Sequence, residues 1–383
     1  MQRHLPVAGV QFLLGETGWQ GFCEQAFPAF DEASLSFVKS LSQQLLAEAK
    51  PYPNLASLGF FLRPAAIAQQ QQRLQRAISQ GRGLAFHLSP SNVTTVAVYS
   101  WISSLLSGCP SVVRLNSRLS AEQEALLAVL QACLKLHPIV AQRVRFIQYQ
   151  HDDSINRELS AQAKVRLLWG GDHTLALFKR YATMPDCRDL CFADRRSYAV
   201  VDLDYWHALG GQAQQLQLAG LASDVSNYQQ LACSSPILIL SVGSASLLAS
   251  FKQQLSAALL VQQPDFPNPI EQELTLQLLA AQQADLKVEQ VQAWNWLELP
   301  AKAMPPHLKP ENGNLLYCHF PHAKDLAQFS FSAKPQTCVM LADEPLRQQF
   351  PQLLPADRYV RPSKALQHEW LWDGQDLLQL QGE

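Results

Sequence analysis

The chain reads, from residue 83 to residue 115, GLAFHLSPSNVTTVAVYSWISSLLSGCPSVVRL. The apolar run at its start predicts a short buried strand over residues 84–88, which ends at a turn over residues 90–92. Residues 96–106 are typical of an apolar helix, and residues 111–115 predict a second buried strand. Strand, helix and strand in this order form the repeating unit of a parallel sheet with right-handed crossovers.

The same alternation continues on both sides of this stretch. Further strands are predicted at residues 144–147, 165–169, 198–202 and 237–240, and further helices at residues 121–136, 172–181, 247–259 and 271–281. Apolar spacing of three and four predicts a helical region before residue 80. The sequence therefore predicts an α/β fold with mostly parallel, doubly wound sheets, whose ligands bind at the carboxyl ends of the strands.

Length and composition limit the class of protein. A chain of 383 residues is long for one core, so we expect two domains. The net charge is −2 and the lysines and arginines are scattered, which argues against a nucleic-acid surface and a polybasic membrane anchor. No apolar run approaches the roughly 20 residues of a membrane span. Eight irregularly spaced cysteines favour a reducing, cytoplasmic location over a disulfide scaffold.

The sequence offers little for a metal site. Cys187 and Cys191 lie four apart and His319 and His322 three apart, but neither pair has the further partners that zinc requires. We therefore expect no bound metal.

Three loops at strand ends carry residues of chemical interest. Asn92 follows the first strand, where its amide can point at a ligand oxygen, although the local pattern by itself favours a turn or cap asparagine. Gly170-Gly171 open a helix and let backbone approach a ligand closely, with a simple tight turn as the alternative. Cys233 lies among small residues just before a buried strand, where it is either an exposed nucleophile or an inert buried thiol.

Together these loops resemble the fatty acyl-CoA reductases of bacterial bioluminescence, the LuxC family, within the aldehyde dehydrogenase superfamily. The resemblance runs from about residue 60 to the C-terminus. Its carriers are the segments His87-Leu88-Ser89-Pro90-Ser91-Asn92-Val93, Gly108-Cys109-Pro110-Ser111-Val112-Val113-Arg114-Leu115, Leu168-Trp169-Gly170-Gly171-Asp172, Cys233-Ser234-Ser235-Pro236 and Trp372-Asp373-Gly374.

The resemblance implies roles for residues of these segments. Cys233 matches the catalytic cysteine, and Asn92 lies where the superfamily supplies an oxyanion-hole amide. Arg114 stands where many dehydrogenases have a lysine on the adenosine ribose. The remaining residues expected to contact the cofactor are Ser89, Pro90, Ser91, Ser117, Arg118, Gly170, Gly171 and Asp172.

The resemblance also implies an aldehyde-dehydrogenase-like architecture of two Rossmann-like domains with the active site in the cleft between them. The expected divisions are a helical N-terminal region at residues 1–80, an NAD(P)-binding domain at 81–196 and a catalytic domain at 197–365. The segment 366–383 is expected to serve oligomerisation, through its aromatic residues, or to return to the cofactor domain.

One departure from the superfamily concerns water. Aldehyde dehydrogenases that hydrolyse their acyl-enzyme carry a glutamate in a segment that corresponds to residues 192–197 here, and this chain has none at that register. Asp194 lies nearby but is shorter and displaced. The absence of a water-activating base suits an enzyme that protects its thioester from hydrolysis.

The implied reaction is the NADPH-dependent reduction of an activated fatty acyl group to a fatty aldehyde through an acyl-cysteine and a thiohemiacetal. Arg114 and Arg118 favour NADPH over NADH, because a guanidinium binds phosphate bidentately. We expect acyl-CoA or an acyl-protein as the donor, an acyl-protein synthetase or carrier protein as a partner, and a homo-oligomer. The alternative function is a thioester acyltransferase that uses the same cysteine without redox chemistry.

Overall fold

A computed structural model of the chain describes residues 7–14, 18–48, 52–90, 93–116, 119–299, 302–305 and 308–383. The chain divides into two compact units. Unit 1 extends to Asp194 and also includes the C-terminal segment His368–Glu383, and unit 2 is Arg195–Gln367. Among the helices of the described residues, none combines the length and the apolar character needed to cross a bilayer.

Within the described part of the chain, unit 1 is built on a six-stranded sheet in the order β1-β4-β3-β2-β5-β6. Strands β2 to β6 are parallel, and β1 pairs antiparallel with β4 at one edge. The strands are β1 (Gln11–Leu14), β2 (Ala85–Leu88), β3 (Ser111–Arg114), β4 (Val144–Gln148), β5 (Val165–Trp169) and β6 (Arg188–Phe192). The helices are α1 (Glu32–Glu48), α2 (Pro53–Phe61), α3 (Pro64–Leu74), α4 (Val96–Ser107), α5 (Ala121–Leu136), α6 (Pro138–Ala141), α7 (Asp153–Gln162) and α8 (Asp172–Phe178).

The central strands of this sheet are buried on both faces. On β5, Leu167 belongs to the apolar core on one side of the sheet and Leu168 to the core on the other. Both β2 and β5 are fully buried, which is why their sequences are apolar except for one residue each, His87 and Arg166. The predicted strand over residues 165–169 and the predicted helix over residues 121–136 match β5 and α5 residue for residue.

The order of the strands creates a switch point between β2 and β5. The chain proceeds from β2 outward to β3 and β4, and it then returns to the other side of β2 to form β5 and β6. In open parallel sheets a crevice for ligands forms where the strand order reverses, at the carboxyl ends of the two strands concerned. The loops that begin at Ser89 and at Gly170 leave the sheet at that edge.

The N-terminal region differs from the all-helical expectation in contributing strand β1 to the sheet. Its attachment depends on Arg145 of β4, whose side chain is fully buried. The guanidinium donates to the carbonyl oxygens of Gly18 (2.8 Å), Gln20 (3.0 Å), Ala141 (2.9 Å) and Val144 (2.8 Å). These bonds join the segment after β1 to the edge of the sheet, so the N-terminal residues fold as part of unit 1.

The C-terminal segment packs on helix α4. Gln381 is fully buried and donates to the Ser103 hydroxyl at 2.8 Å, while the Ser107 hydroxyl donates to the carbonyl of Leu378 at 2.9 Å. Trp370 stacks on Tyr99 and is only 6% exposed. Its ring is therefore part of the core of unit 1, and the expectation that it serves an oligomer interface is wrong for this residue.

Within the described residues, unit 2 has a seven-stranded sheet in the order β15-β14-β7-β8-β12-β10-β9, parallel except for β9 at one edge. Its strands, together with the short pair β11 and β13, are β7 (Ser197–Asp202), β8 (Pro236–Val242), β9 (Lys287–Val291), β10 (Trp294–Glu298), β11 (Ala303–Met304), β12 (Asn314–Phe320), β13 (Ser330–Phe331), β14 (Thr337–Leu341) and β15 (Arg358–Val360). Its helices are α9 (Leu203–Leu209), α10 (Gly211–Ser226), α11 (Leu248–Gln262), α12 (Pro269–Gln282) and α13 (Glu344–Leu353).

His87, in the middle of the first strand of the sequence pattern, is a structural residue. Its ring is fully buried, with Nδ1 2.9 Å from the Ser100 hydroxyl and Nε2 3.0 Å from the Ser104 hydroxyl. Burial lowers the pKa of His87 to about 3, because a charged imidazolium would lose its hydration there. The neutral ring, held between two hydroxyls, joins β2 to α4.

This lowered pKa predicts a pH-dependent stability. The unfolded chain binds a proton at His87 below about pH 6.5 and the folded chain does not until about pH 3, so acidification through this window favours unfolding. We expect His87→Gln to reduce the slope of unfolding free energy against pH by about 1.4 kcal/mol per pH unit. Urea denaturation at several pH values between about 6.5 and 4.5 gives the free energy of unfolding, and hence its slope against pH. The same slope in wild type and variant would contradict the assignment, and substitution of the exposed His173 by Gln is the control.

Candidate active site

The environments of the cysteines separate two thiols from the other six. Cys109, Cys133, Cys318 and Cys338 are buried, and burial raises the pKa of each. Burial also raises the pKa of the half-buried Cys187, to about 11, and that of Cys191. A raised pKa lowers the population of the reactive thiolate at neutral pH. These six thiols are therefore poor nucleophiles.

Of the two remaining half-buried thiols, Cys23 lies on the segment before α1 and Cys233 on the loop before β8. The Cys233 loop connects the end of α10 to β8, so it lies at the amino ends of the parallel strands of unit 2. It begins with an irregular turn over Asn227–Gln230. Cys233 is thus partly exposed on a loop at the amino ends of these strands, and its assignment as the nucleophile stays a prediction.

The Cys233 loop contains an unusual backbone. Tyr228, Gln229 and Gln230 have φ angles of 51°, 55° and 64°, in the left-handed region that residues other than glycine rarely adopt. Such conformations cost about 1–3 kcal/mol each and persist where the surroundings enforce them, commonly at functional sites. Three in succession lie immediately upstream of Cys233.

The surroundings enforce this backbone through side chains of unit 2. Gln230 is buried, and its amide oxygen accepts from the Gly313 N–H at 2.7 Å while its amide nitrogen donates to the Asn314 carbonyl at 3.2 Å. Downstream, the Ser197 hydroxyl donates to the carbonyl oxygen of Cys233 at 2.7 Å. Local sequence gives no signal for the roles of Gln230 and Ser197, because their partners are distant in the chain.

In unit 1, the expected cofactor residues fall at the carboxyl edge of the sheet. Ser89 follows β2 and Arg114 ends β3, and the Ser89 N–H donates to the Arg114 carbonyl at 3.2 Å. Pro90 continues the loop after β2 and is partly exposed. Ser91, Asn92, Ser117 and Arg118 lie outside the described residues. The structure thus brings Ser89 and Arg114 together as neighbours.

Several polar atoms at this edge are buried but have no hydrogen-bond partner among the described residues. They are Ser89 Oγ, Arg114 Nε and Asn116 Nδ2. The Arg114 guanidinium carbon lies 4.4 Å from the centre of the Tyr149 ring, a cation–π contact that fixes its orientation. Buried polar groups are rarely left unpaired. Three such atoms at adjoining strand ends are consistent with a site for a polar ligand. Asn116 was not among the cofactor residues predicted from the sequence.

The glycine pair lies on the other side of the switch point. The Gly170 N–H donates to the Phe192 carbonyl at 3.1 Å, whereas Gly171 precedes α8 with an ordinary φ of −65°. A Cβ atom added at Gly171 would meet no atom within 4 Å, so neither packing nor backbone geometry requires glycine there. Asp172, the first residue of α8, is exposed. Open space beside the Gly171 backbone leaves room for a ligand.

The segment at the expected position of the glutamate contains the boundary between the two units, at Asp194 and Arg195. The Asp194 side chain is exposed. Among the residues that the structure describes, no group of three or more His, Cys, Asp or Glu side chains is arranged to hold a metal ion.

Solved structures of aldehyde dehydrogenases share this fold. A lactaldehyde dehydrogenase matches with a TM-score of 0.65 over 93% of this chain and 86% of that chain, at 10% identity. Aldehyde dehydrogenase 21 from Physcomitrella patens, in complex with the reaction product succinate, gives 0.65 over 92% and 84%, at 11% identity. An indole-3-acetaldehyde dehydrogenase in complex with NAD+ gives 0.62 over 86% and 75%, at 14% identity. The aldehyde-dehydrogenase-like α/β fold predicted from the sequence is confirmed.

Sequence comparison is more specific about the branch. A long-chain acyl-protein thioester reductase from Photorhabdus luminescens is 26% identical over 178 residues, which is 46% of this chain. The match spans 35% of the length of that protein. The sequence profile of the family described as acyl-CoA reductase (LuxC) matches residues 60–375, which is most of the chain. The chain belongs to the LuxC family of acyl-CoA reductases.

Proposed function

We propose that this chain reduces an activated fatty acyl group to a fatty aldehyde, with Cys233 as the nucleophile and NADPH as the reductant. The observation that carries the proposal is the Cys233 loop, where a partly exposed thiol follows three left-handed residues, the last of which, Gln230, is held by buried hydrogen bonds. Membership of the acyl-CoA reductase family supports the choice of substrate.

The first step is acyl transfer to the enzyme. A free thiol has a pKa of about 8.5, so only a few per cent is thiolate at pH 7, and this thiolate attacks the acyl carbonyl. The thiol of the donor leaves, and the acyl group becomes a thioester on Cys233. The donor is acyl-CoA or an acyl-protein, and a carrier protein or an acyl-protein synthetase is the proposed partner.

The second step converts the thioester into the aldehyde. When bound, the reduced nicotinamide supplies the hydride for the carbonyl carbon. The negative charge that develops on the carbonyl oxygen is held by the Asn92 amide and the backbone N–H of Cys233. The resulting thiohemiacetal oxyanion collapses, the C–S bond breaks, the aldehyde leaves and the Cys233 thiolate is restored. In this scheme no base activates water to hydrolyse the thioester. Residues 192–197 contain no glutamate at the position used by hydrolytic aldehyde dehydrogenases, and Asp194 is displaced from that position.

The residues that would hold the cofactor are those at the switch point of unit 1. Ser89 Oγ, Arg114 Nε and Asn116 Nδ2 are buried donors without described partners, and the backbone at Gly171 adjoins open space. These features fit a ribose and phosphate group. Arg114, together with Arg118, favours NADPH over NADH because guanidinium groups suit the additional phosphate. We further propose that the enzyme is cytoplasmic and homo-oligomeric.

Replacement of Cys233 by Ala tests the nucleophile. We expect Cys233→Ala to abolish both aldehyde formation and covalent acylation from acyl-CoA, because no other thiolate replaces it. NADPH binding, measured by fluorescence, should remain near that of the wild type. Cys23→Ala, which removes another half-buried thiol, is the control and should retain activity. Continued turnover in the Cys233 variant would rule out the proposal.

Replacement of Asn92 by Ala tests the oxyanion donor. Loss of one such donor typically costs about 100-fold or more in kcat, and we expect Asn92→Ala to reduce the rate of aldehyde formation by that factor. The extent of Cys233 acylation at long times should be unchanged. A fall of about twofold would show that Asn92 only shapes the turn.

Replacement of Gly171 by Val tests the cofactor edge. The added side chain enters open space, so the midpoint of thermal unfolding should change by less than about 2 °C, in line with a surface substitution. The same side chain should obstruct the ligand, and we expect the dissociation constant for NADPH to rise about 10-fold or more. Unchanged NADPH affinity would show that Gly171 is only a turn residue.

A further inference from the structure

In unit 2, the Ser197 hydroxyl joins the starts of two neighbouring strands to the Cys233 loop. The neighbouring strands β14, β7 and β8 begin at Thr337, Ser197 and Pro236. The Ser197 hydroxyl donates to the Cys233 carbonyl at 2.7 Å and accepts from the Thr337 N–H at 3.1 Å. One buried side chain therefore links the Cys233 loop to both β7 and β14.

We propose that Ser197 is a positioning residue for acyl transfer, and that its hydroxyl fixes the peptide group that follows Cys233. The inference rests on the proposed function in one respect, since it takes Cys233 as the nucleophile. Ser197 does not touch the reacting atoms in this assignment. It acts through the backbone of Cys233.

The geometry of the peptide bond makes this action direct. The peptide group is planar, so fixing the Cys233 carbonyl oxygen also fixes the direction of the Ser234 N–H. It thereby restricts rotation about the Cα–C bond of Cys233, on which the direction of the thiol depends. The single proton of the Ser197 hydroxyl is committed to this carbonyl, and a lone pair is committed to Thr337.

A second anchor lies on the other side of the thiol. Gln230 is held by its two hydrogen bonds to Gly313 and Asn314, and it ends the left-handed run. Only two residues, Leu231 and Ala232, separate this anchor from Cys233. The segment between the two anchors is short and has ordinary backbone angles, with φ of −84° at Leu231, so removal of the Ser197 anchor leaves Cys233 held from its N-terminal side alone and relaxes its position.

A relaxed loop should impair chemistry more than binding. Displacement of a reacting group by about 1 Å can reduce a rate by about 100-fold. The acyl donor still binds, because Ser197 is buried and makes its hydrogen bonds to the backbone of unit 2. The expected signature is a lower rate of acyl transfer at saturating donor with an unchanged KM for the donor.

The experiment compares Ser197→Ala with Ser197→Thr and with Thr337→Val. Ser197→Thr keeps the hydroxyl. Thr337→Val is the matched control, since it removes a buried hydroxyl that has no partner among the described residues but keeps the N–H that bonds to Ser197. Single-turnover acylation of Cys233 by acyl-CoA without NADPH is followed by intact-protein mass spectrometry. The acylation rate is expressed per folded molecule. Thermal unfolding is measured in parallel.

We expect Ser197→Ala to reduce the acylation rate by about 10- to 100-fold with KM for acyl-CoA unchanged within about twofold. Ser197→Thr should recover most of the rate, and Thr337→Val should acylate at the wild-type rate. If Ser197→Ala does not fold, Ser197→Cys, which keeps the volume and donates weakly, takes its place with the same expected loss.

A wild-type acylation rate in a destabilised Ser197→Ala variant would overturn the inference, because the hydroxyl would then serve stability alone. That result is distinct from failure of the proposed function. In the latter case the wild-type protein would show no acyl group on Cys233, and the inference would fall with it.

Discussion

A parallel strand that is buried on both faces can carry polar chemistry only at its ends, and this constraint governs both units. Leu167 and Leu168 face opposite cores in unit 1, and Ile239 and Leu240 do so in unit 2. Polar side chains within such strands need buried partners, as His87 has in Ser100 and Ser104. The candidate chemistry accordingly lies where strands begin or end.

The two units use opposite ends of their strands. In unit 1 Ser89 Oγ and Arg114 Nε, which have no hydrogen-bond partner in the described part of the chain, lie at carboxyl ends beside the reversal of strand order. In unit 2 the candidate nucleophile precedes β8, so Cys233 lies at the amino ends, where Ser197 holds its carbonyl. A cofactor site can use the crevice that the topology creates, whereas the thiol requires a backbone conformation that separate hydrogen bonds must enforce.

Local sequence was sufficient for the elements with strong apolar periodicity. The strand at residues 165–169 was predicted to the residue because it is uninterrupted and apolar except for the internally paired Arg166. Strand β6 was missed because it begins with the exposed Arg188 and Asp189, and β1 because Gln11 interrupts a short run. The position of Cys233 on a loop before a buried strand was predicted from the local sequence, whereas its role as the nucleophile rests on the family resemblance and stays a prediction. The role of Ser197 could not be predicted, since its partners lie 36 and 140 residues further along the chain.

The buried guanidinium of Arg145 bears on where this fold can be cut. The family profile begins at residue 60, yet two of the carbonyl oxygens that accept hydrogen bonds from this cation belong to Gly18 and Gln20. A fragment trimmed to the profile would keep the positive charge inside unit 1 and lose both of these hydrogen-bond acceptors, at a cost of several kcal/mol. The smallest fragment that folds on its own is thus set by the hydrogen bonds to this cation. It includes N-terminal residues that lie outside the family profile.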